Sequence, residues 1–287
     1  MHWSWFIVAV YQIQDRSGRY SSVVWTALEY VGLFLIVLLH EFGHALACRQ
    51  VGGQADQIVL WPLGGVAYVS PPSRPGATLW SIAAGPLVNV ALVPILLGLV
   101  FGLQALGWDE GSNSYQLAWS VCKMNFVILA FNLLPIYPLD GGQILRALLW
   151  FVLGRARSLM VAAMIGFAGF AIFAVIAMWL HSGWMLILAV FVLLLCGRGL
   201  LQARLLAKAE RLPRRDGFAC PSCKQAPVTG LFWMCHKCRA KFDTFETRAT
   251  CPGCGEQFPV TRCPDCGASS PFNEWIVPGG IPPLITR

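Results

Sequence analysis

The chain has 287 residues, of which 56% are hydrophobic and only 12% charged, against roughly 25% charged in soluble domains, so an ordinary water-soluble globular protein is excluded. The formal charge of +7 says less than its placement: basic residues gather at Arg146, Arg155 and Arg157, and again at Arg198, Arg204, Lys208, Arg211, Arg214 and Arg215. Clusters of this kind mark the cytoplasmic ends of membrane helices, and the composition predicts a multi-pass integral protein of the cell membrane.

In chain order, the first apolar run, residues 3–13, is too short to cross a bilayer alone; it reads as a tilted helix that ends early or as part of a truncated one. It lacks the basic start and small-residue cleavage site of a signal peptide. Runs long enough to span follow at residues 22–48, 79–106, 117–139, 158–180 and 184–205. With the short first segment these predict about six transmembrane helices, both termini in the cytoplasm, and residues 15–20, 107–116 and 181–183 outside. The acidic Asp109 and Glu110 agree with an outer loop.

The span 22–48 contains His40-Glu41-Phe42-Gly43-His44, where an unpaired charge costs roughly 2.5–3.5 kcal/mol on insertion scales. On a helix the i, i+4 spacing puts both histidines on one face, able to share a zinc ion, with Glu41 beside them as general base. A pair of satisfied core histidines is the alternative. Residues 54–70 hold two β-branched and aromatic runs around Pro62-Leu63-Gly64-Gly65, which predicts a β-hairpin. Its apolar character suits a hairpin at membrane depth, tolerated where protein covers it or where it lines a wet cavity.

A catalytic zinc site needs a third protein ligand and an open position for water. The acidic residues between His44 and Glu210 are Asp56, Asp109, Glu110 and Asp140, and only Asp140 ends a predicted span. The metzincin continuation is absent, because Ala47 and Gln50 stand where Gly and His are needed, and no later span carries a Glu. Asp140 is therefore the expected third ligand.

Three segments, HEFGH at 40–44, Gly85-Pro86-Leu87-Val88-Asn89, and Asn132-Leu133-Leu134-Pro135-Ile136-Tyr137-Pro138-Leu139-Asp140-Gly141-Gly142, resemble the signatures of the site-2 protease family of intramembrane zinc metalloproteases. The resemblance covers residues 3–155. It implies a three-helix core in which His40, His44 and Asp140 bind the catalytic zinc and Glu41 activates water. The substrate would be a transmembrane protein, cut within or beside a membrane helix to release a membrane-held regulator, or a remnant signal peptide. Asn89 and Asn132 also match motif positions, and either contact the reacting centre or make interhelical hydrogen bonds. A helical substrate must unwind to expose its carbonyl, and the hairpin, with Ile58, Val59, Leu60, Val66, Ala67 and Tyr68, offers a strand edge to receive it. A non-proteolytic metal-binding or scaffold protein on the same fold would keep the ligands without needing Glu41.

Residues 217–287 depart from the family pattern. They hold four Cys-x2-Cys pairs, Cys220/Cys223, Cys235/Cys238, Cys251/Cys254 and Cys263/Cys266, the spacing of zinc knuckles. Disulfides are disfavoured in a cytoplasmic tail. Joining neighbouring pairs gives two four-cysteine zinc ribbons, with a cross-braced pairing as the alternative, and three zinc ions per chain in total. Lysines and arginines in the tail are offset by acids, so no nucleic-acid footprint stands out; a protein partner for the ribbons stays open. Cys48, Cys122 and Cys196 read as small buried hydrophobes, His2 and His181 as solvated, His236 as dispensable beside Cys235 and Cys238, and Glu29 as an interfacial carboxylate. The expected architecture is an all-α polytopic membrane protein with a membrane-associated β-hairpin, a protease domain over 1–207 and a small zinc-ribbon module over 217–287.

Overall fold

The computed structural model describes residues 20–61 and 64–277, apart from the side chains of residues 60, 61, 64–68, 184 and 188. The segment at 3–13, His2 and the hairpin tip at Pro62 and Leu63 lie outside the described residues. Chain contacts divide the protein at Arg204/Leu205 into two compact units.

The first unit is built from helices α1 (Val23–Gln50), α2 (Pro75–Ala105), α3 (Asn113–Asn132), α4 (Asp140–Leu153), α5 (Arg155–Trp179) and most of α6 (Gly183–Glu210), with strands β1 (Gln54–Trp61) and β2 (Gly64–Ser70) between α1 and α2. Helix α1 stops where Gly52 takes φ +82°, a left-handed conformation that glycine adopts without a Cβ clash. The chain then turns back as the predicted hairpin. Its strands pair antiparallel from Gln54↔Ser70 to Trp61↔Gly64, with a bulge between Ala55 and Gln57, and both strands lie against α1. Helix α2 packs on α1, α3 and α4, α1 also meets α3, and α4 meets α5.

The packing inverts that of a soluble bundle. Many buried positions are small, among them Ala147, Ala156, Ala162, Ala163, Ala177, Ala189 and Ala203, whereas Val23, Ile95, Phe101, Val152, Ile172 and Trp179 are exposed. In hydrocarbon, large apolar side chains gain nothing by leaving the surface, so close approach of small residues holds the helices together. On α5 a Cβ at Gly166 would meet Cys196 Sγ and one at Gly169 would meet Ile136. Cys48, Cys122 and Cys196 are fully or almost fully buried, as expected for small hydrophobes.

One expectation is corrected. The span predicted over 117–139 is not one helix: α3 begins at Asn113, inside the predicted outer loop, and ends at Asn132; an irregular stretch with Pro135 and Pro138 follows, and a separate helix α4 begins at Asp140. Proline removes a backbone donor and disfavours helix in the residue before it, which outweighs the apolar composition that made the run look continuous. Among the described residues four helices, α1, α2, α5 and α6, are long and apolar enough to cross a membrane; the short first segment of the expected six lies outside those residues. Helix α3 contains Gln116, Ser120, Lys123 and Asn125, which lower its hydropathy.

The second unit contains two short strand pairings, β3 (Trp233–Met234) with β4 (Lys241–Phe242) and β5 (Val260–Arg262) with β6 (Ser269–Pro271), plus a 3-10 turn at Phe272–Trp275. Its core is aromatic: Phe245 lies 5.1 Å from Phe218, 5.4 Å from Trp233 and 5.0 Å from Trp275 between ring centroids. Asp243, buried within it, accepts from Arg215 Nη2 at 2.8 Å and from the Gly230 and Phe245 amides, each at 3.0 Å.

Candidate metal centre

Helical spacing on α1 puts His40 and His44 one turn apart, both buried, and the irregular stretch before α4 delivers Asp140 to the same point. His40 Nε2 lies 3.1 Å from His44 Nε2 and 2.9 Å from Asp140 Oδ2, and His44 Nε2 lies 3.4 Å from that oxygen. A tetrahedral zinc with bonds near 2.0–2.1 Å separates its ligand atoms by about 3.3 Å. The three edges here match that triangle.

The proton positions support the same reading. His44 Nδ1 is 2.9 Å from the Ser81 carbonyl, which only accepts, so Nδ1 carries the proton and Nε2 presents a lone pair. His40 Nδ1 is 2.5 Å from Asn89 Oδ1, with the same consequence. Two imidazole lone pairs and a carboxylate oxygen then face one another in a water-poor interior. That donor set suits a divalent cation, and fully hydrogen-bonded outer nitrogens are the usual support of metal-bound histidine.

Gly85 completes the cradle. A Cβ there would overlap His44 Nε2 and lie 2.8 Å from His40 Nε2. The first turn of α4 is equally tight, since a Cβ at Gly141 would strike the Leu133 carbonyl and one at Gly142 the Ile136–Tyr137 backbone. Asp140 can reach the centre only because glycines follow it.

Glu41 follows His40 on α1 and is buried, 6% exposed. Asn132, the last residue of α3, is half-buried and does not hydrogen-bond the two histidines or Asp140. Two residues passed over or read differently in the sequence belong to the polar interior. Asn125 accepts a hydrogen bond from Asn89 Nδ2 at 2.8 Å. Glu29, expected as an interfacial carboxylate, is 2% exposed and accepts from Tyr20 Oη at 2.6 Å and Ser120 Oγ at 2.9 Å. A polar residue in an apolar helix was the available signal for both. Asp109 and Glu110 are exposed and far in sequence from any helix end that meets the site.

In the second unit the eight tail cysteines form two groups, Cys220, Cys223, Cys263 and Cys266, and Cys235, Cys238, Cys251 and Cys254, each with sulfurs within 4.8 Å of one another. The pairing is nested. It replaces the neighbour-to-neighbour ribbons, and it is not cross-braced. The physical cause is the aromatic core, which ties the two ends of the module together: Ala219 N donates to Trp275 O at 2.8 Å, and Phe218 bridges to Ile276. All four knuckles share one turn, in which the first cysteine's carbonyl accepts from the residue after the second, Lys224, Arg239, Gly255 or Gly267. Each of those residues has φ between 60° and 75°. Burial pushes the Cys223 thiol up to about 12, whereas the Cys238 backbone amide draws Cys235 down to about 6. Crowded sulfurs cannot all ionise unless a cation joins them. His236 is exposed and packs on Phe258 rather than joining either group.

Comparison with known proteins places this geometry. The profile of peptidase family M50 matches residues 29–111 and 107–176, more than half of the chain. The chain belongs to peptidase family M50. Its relatives include a zinc metalloprotease of Methanocaldococcus jannaschii, 35% identical over 161 residues that make up 56% of this chain and 45% of the relative. Rip3 of Mycobacterium tuberculosis is 30% identical over 161 residues, 52% of this chain and 40% of that protein. The match thus spans less than half the length of these curated relatives. Among solved structures, the site-2 protease from Methanocaldococcus jannaschii superposes with a TM-score of 0.50 at 28% identity, over 68% of this M50 chain and 88% of the other.

Proposed function

We propose that this M50 protein is an intramembrane zinc metalloprotease that hydrolyses a peptide bond within or beside a transmembrane segment of another protein. The observation that carries the reading is the meeting of His40 Nε2, His44 Nε2 and Asp140 Oδ2 within 3.4 Å, with the buried Glu41 following His40 on α1. These three residues would hold the zinc. When bound, the metal lowers the pKa of its water toward 7 and polarises the scissile carbonyl. Glu41 accepts the water proton and returns it to the leaving amine. The apolar helices around the site exclude bulk water, and Asn132, at the end of α3, supplies an amide toward the reacting carbonyl. The hairpin, which lies against the helix bearing both histidines, lends main-chain donors and acceptors to an unwound substrate strand.

Basic clusters at Arg155 and Arg157 and at Arg198 to Arg215 support cytoplasmic ends there by the positive-inside rule, with both termini on that side. The tail binds two zinc ions as a folding device and offers a surface to a protein partner. Release of a membrane-held regulator is the biological role this reading assigns.

Glu41→Gln tests the mechanism, because the amide keeps the shape but cannot accept a proton. Purified variant should retain zinc and lose at least about 100-fold in cleavage rate. Parental cleavage by that variant would refute Glu41 as the base that activates water.

A further inference from the structure

We propose that Asn125, on α3 and outside every sequence signature, is a positioning residue that sets the tautomer of His40 and with it the affinity of the metal centre. The proposal rests on the reading that His40, His44 and Asp140 hold a metal.

The argument starts from a group whose role cannot change. The main-chain carbonyl of Asn89 only accepts, so the Asn125 atom 3.0 Å from it is the amide nitrogen Nδ2, which donates. Asn125 Oδ1 is thereby turned toward Asn89 Nδ2, from which it accepts at 2.8 Å. Asn89 Oδ1 is left facing His40 Nδ1 at 2.5 Å and can only accept the ring proton. A neutral imidazole with its proton on Nδ1 has its lone pair on Nε2, and Nε2 is the atom that faces His44 and Asp140.

Without Asn125, nothing in this chain of bonds prevents the Asn89 amide from turning over. Turned, it would offer an N–H to Nδ1, move the ring proton to Nε2 and close that nitrogen to a metal. Asn89 and Asn125 are both 0% exposed and His40 is 4% exposed, so bulk water cannot substitute for the missing acceptor. The two histidines differ here. His44 donates to a main-chain carbonyl, that of Ser81, which cannot turn over, whereas His40 depends on a side-chain amide and therefore on the residue that locks it.

The test is a cobalt titration of the purified full-length protein, parent and variants. Sulfur-to-cobalt charge-transfer bands report the eight tail cysteines and serve as an internal reference for folding, while the weaker visible bands of a nitrogen and oxygen site report the bundle. Asn125→Leu removes both hydrogen bonds and keeps the branched shape of the side chain. Asn125→Asp, in either protonation state, keeps an acceptor for Asn89 Nδ2 and, when protonated, also the donor. The expected result is a 10–100-fold weaker bundle site in Asn125→Leu and near-parental binding in Asn125→Asp, with the sulfur bands unchanged. A packing role alone predicts the reverse order, since leucine suits a buried position and a carboxyl group does not. Parental affinity in Asn125→Leu, or an equal loss in both variants, would overturn the proposal. If Asn125→Leu fails to fold, Asn125→Ala, which leaves a void instead of an overlap, takes its place with the same expected loss. Absence of the nitrogen and oxygen bands in the parent would remove the metal centre itself, and the proposal with it.

Discussion

Two substitutions probe the centre at single residues. Gly85→Ala inserts a methyl group where the two Nε2 atoms converge, and neither helix can retreat without breaking the α1–α2 contact. It should abolish zinc binding in the bundle while helical content stays parental, read by elemental analysis and circular dichroism. Asp140→Ala leaves two imidazoles and should lower zinc affinity steeply and abolish cleavage, whereas Asp109→Ala, in an exposed loop, should do neither. An essential Asp109 with a dispensable Asp140 would reassign the third ligand. His40, Glu41, His44 and Asp140 were legible because polar residues in apolar runs are few and their spacing is diagnostic. Asn125 was not, since one asparagine in a helix has no spacing to betray its partner, and its meaning comes from Asn89 across a helix interface.

At the scale of elements, the hairpin and the knuckles make separate predictions. Proline at Val66 or Tyr68, which pair with Val59 and Gln57, removes a backbone donor from β2 or distorts it. Cleavage of a helical substrate should slow with zinc retained, and rates equal to the parent's in both variants would argue against strand addition. In the tail, Lys224 and Arg239 occupy left-handed turns with φ 61° and 60°, a conformation that costs an L-residue about 1–2 kcal/mol. Lys224→Gly and Arg239→Gly should raise the melting temperature of the tail, followed by the fluorescence of Trp233 and Trp275, while Gly255→Ala and Gly267→Ala should lower it. The hairpin was readable from its β-branched runs and Pro/Gly turn. The break after Asn132 was signalled by Pro135 and Pro138, but an apolar average over 117–139 masks two prolines, because hydropathy measures transfer to lipid and not backbone geometry.

For the whole molecule the decisive quantity is metal content. One zinc in the bundle and two in the tail predict three per chain, and truncation after Lys208 should leave one, with the helices intact. Cys251→Ser should expose Cys235, Cys238 and Cys254 to alkylation while leaving Cys220, Cys223, Cys263 and Cys266 protected, as the nested groups require; neighbour pairing would instead expose Cys263 and Cys266. Zinc near one per intact chain, or cysteines isolated as disulfides, would overturn the ribbon assignment.

The amino-acid sequence by itself determined the membrane class, the helical repeat that aligns His40 with His44, the inventory of candidate ligands and the four knuckle turns, because each depends on composition or on contacts within a few residues. Tertiary structure alone decided which cysteine pairs share a site and how Asn89 and Asn125 orient His40. Those outcomes depend on surfaces far apart in the chain. The Phe218–Phe245–Trp275 cluster draws the tail's ends together, and the methyl-free approach at Gly85 lets α2 reach the ligands of α1.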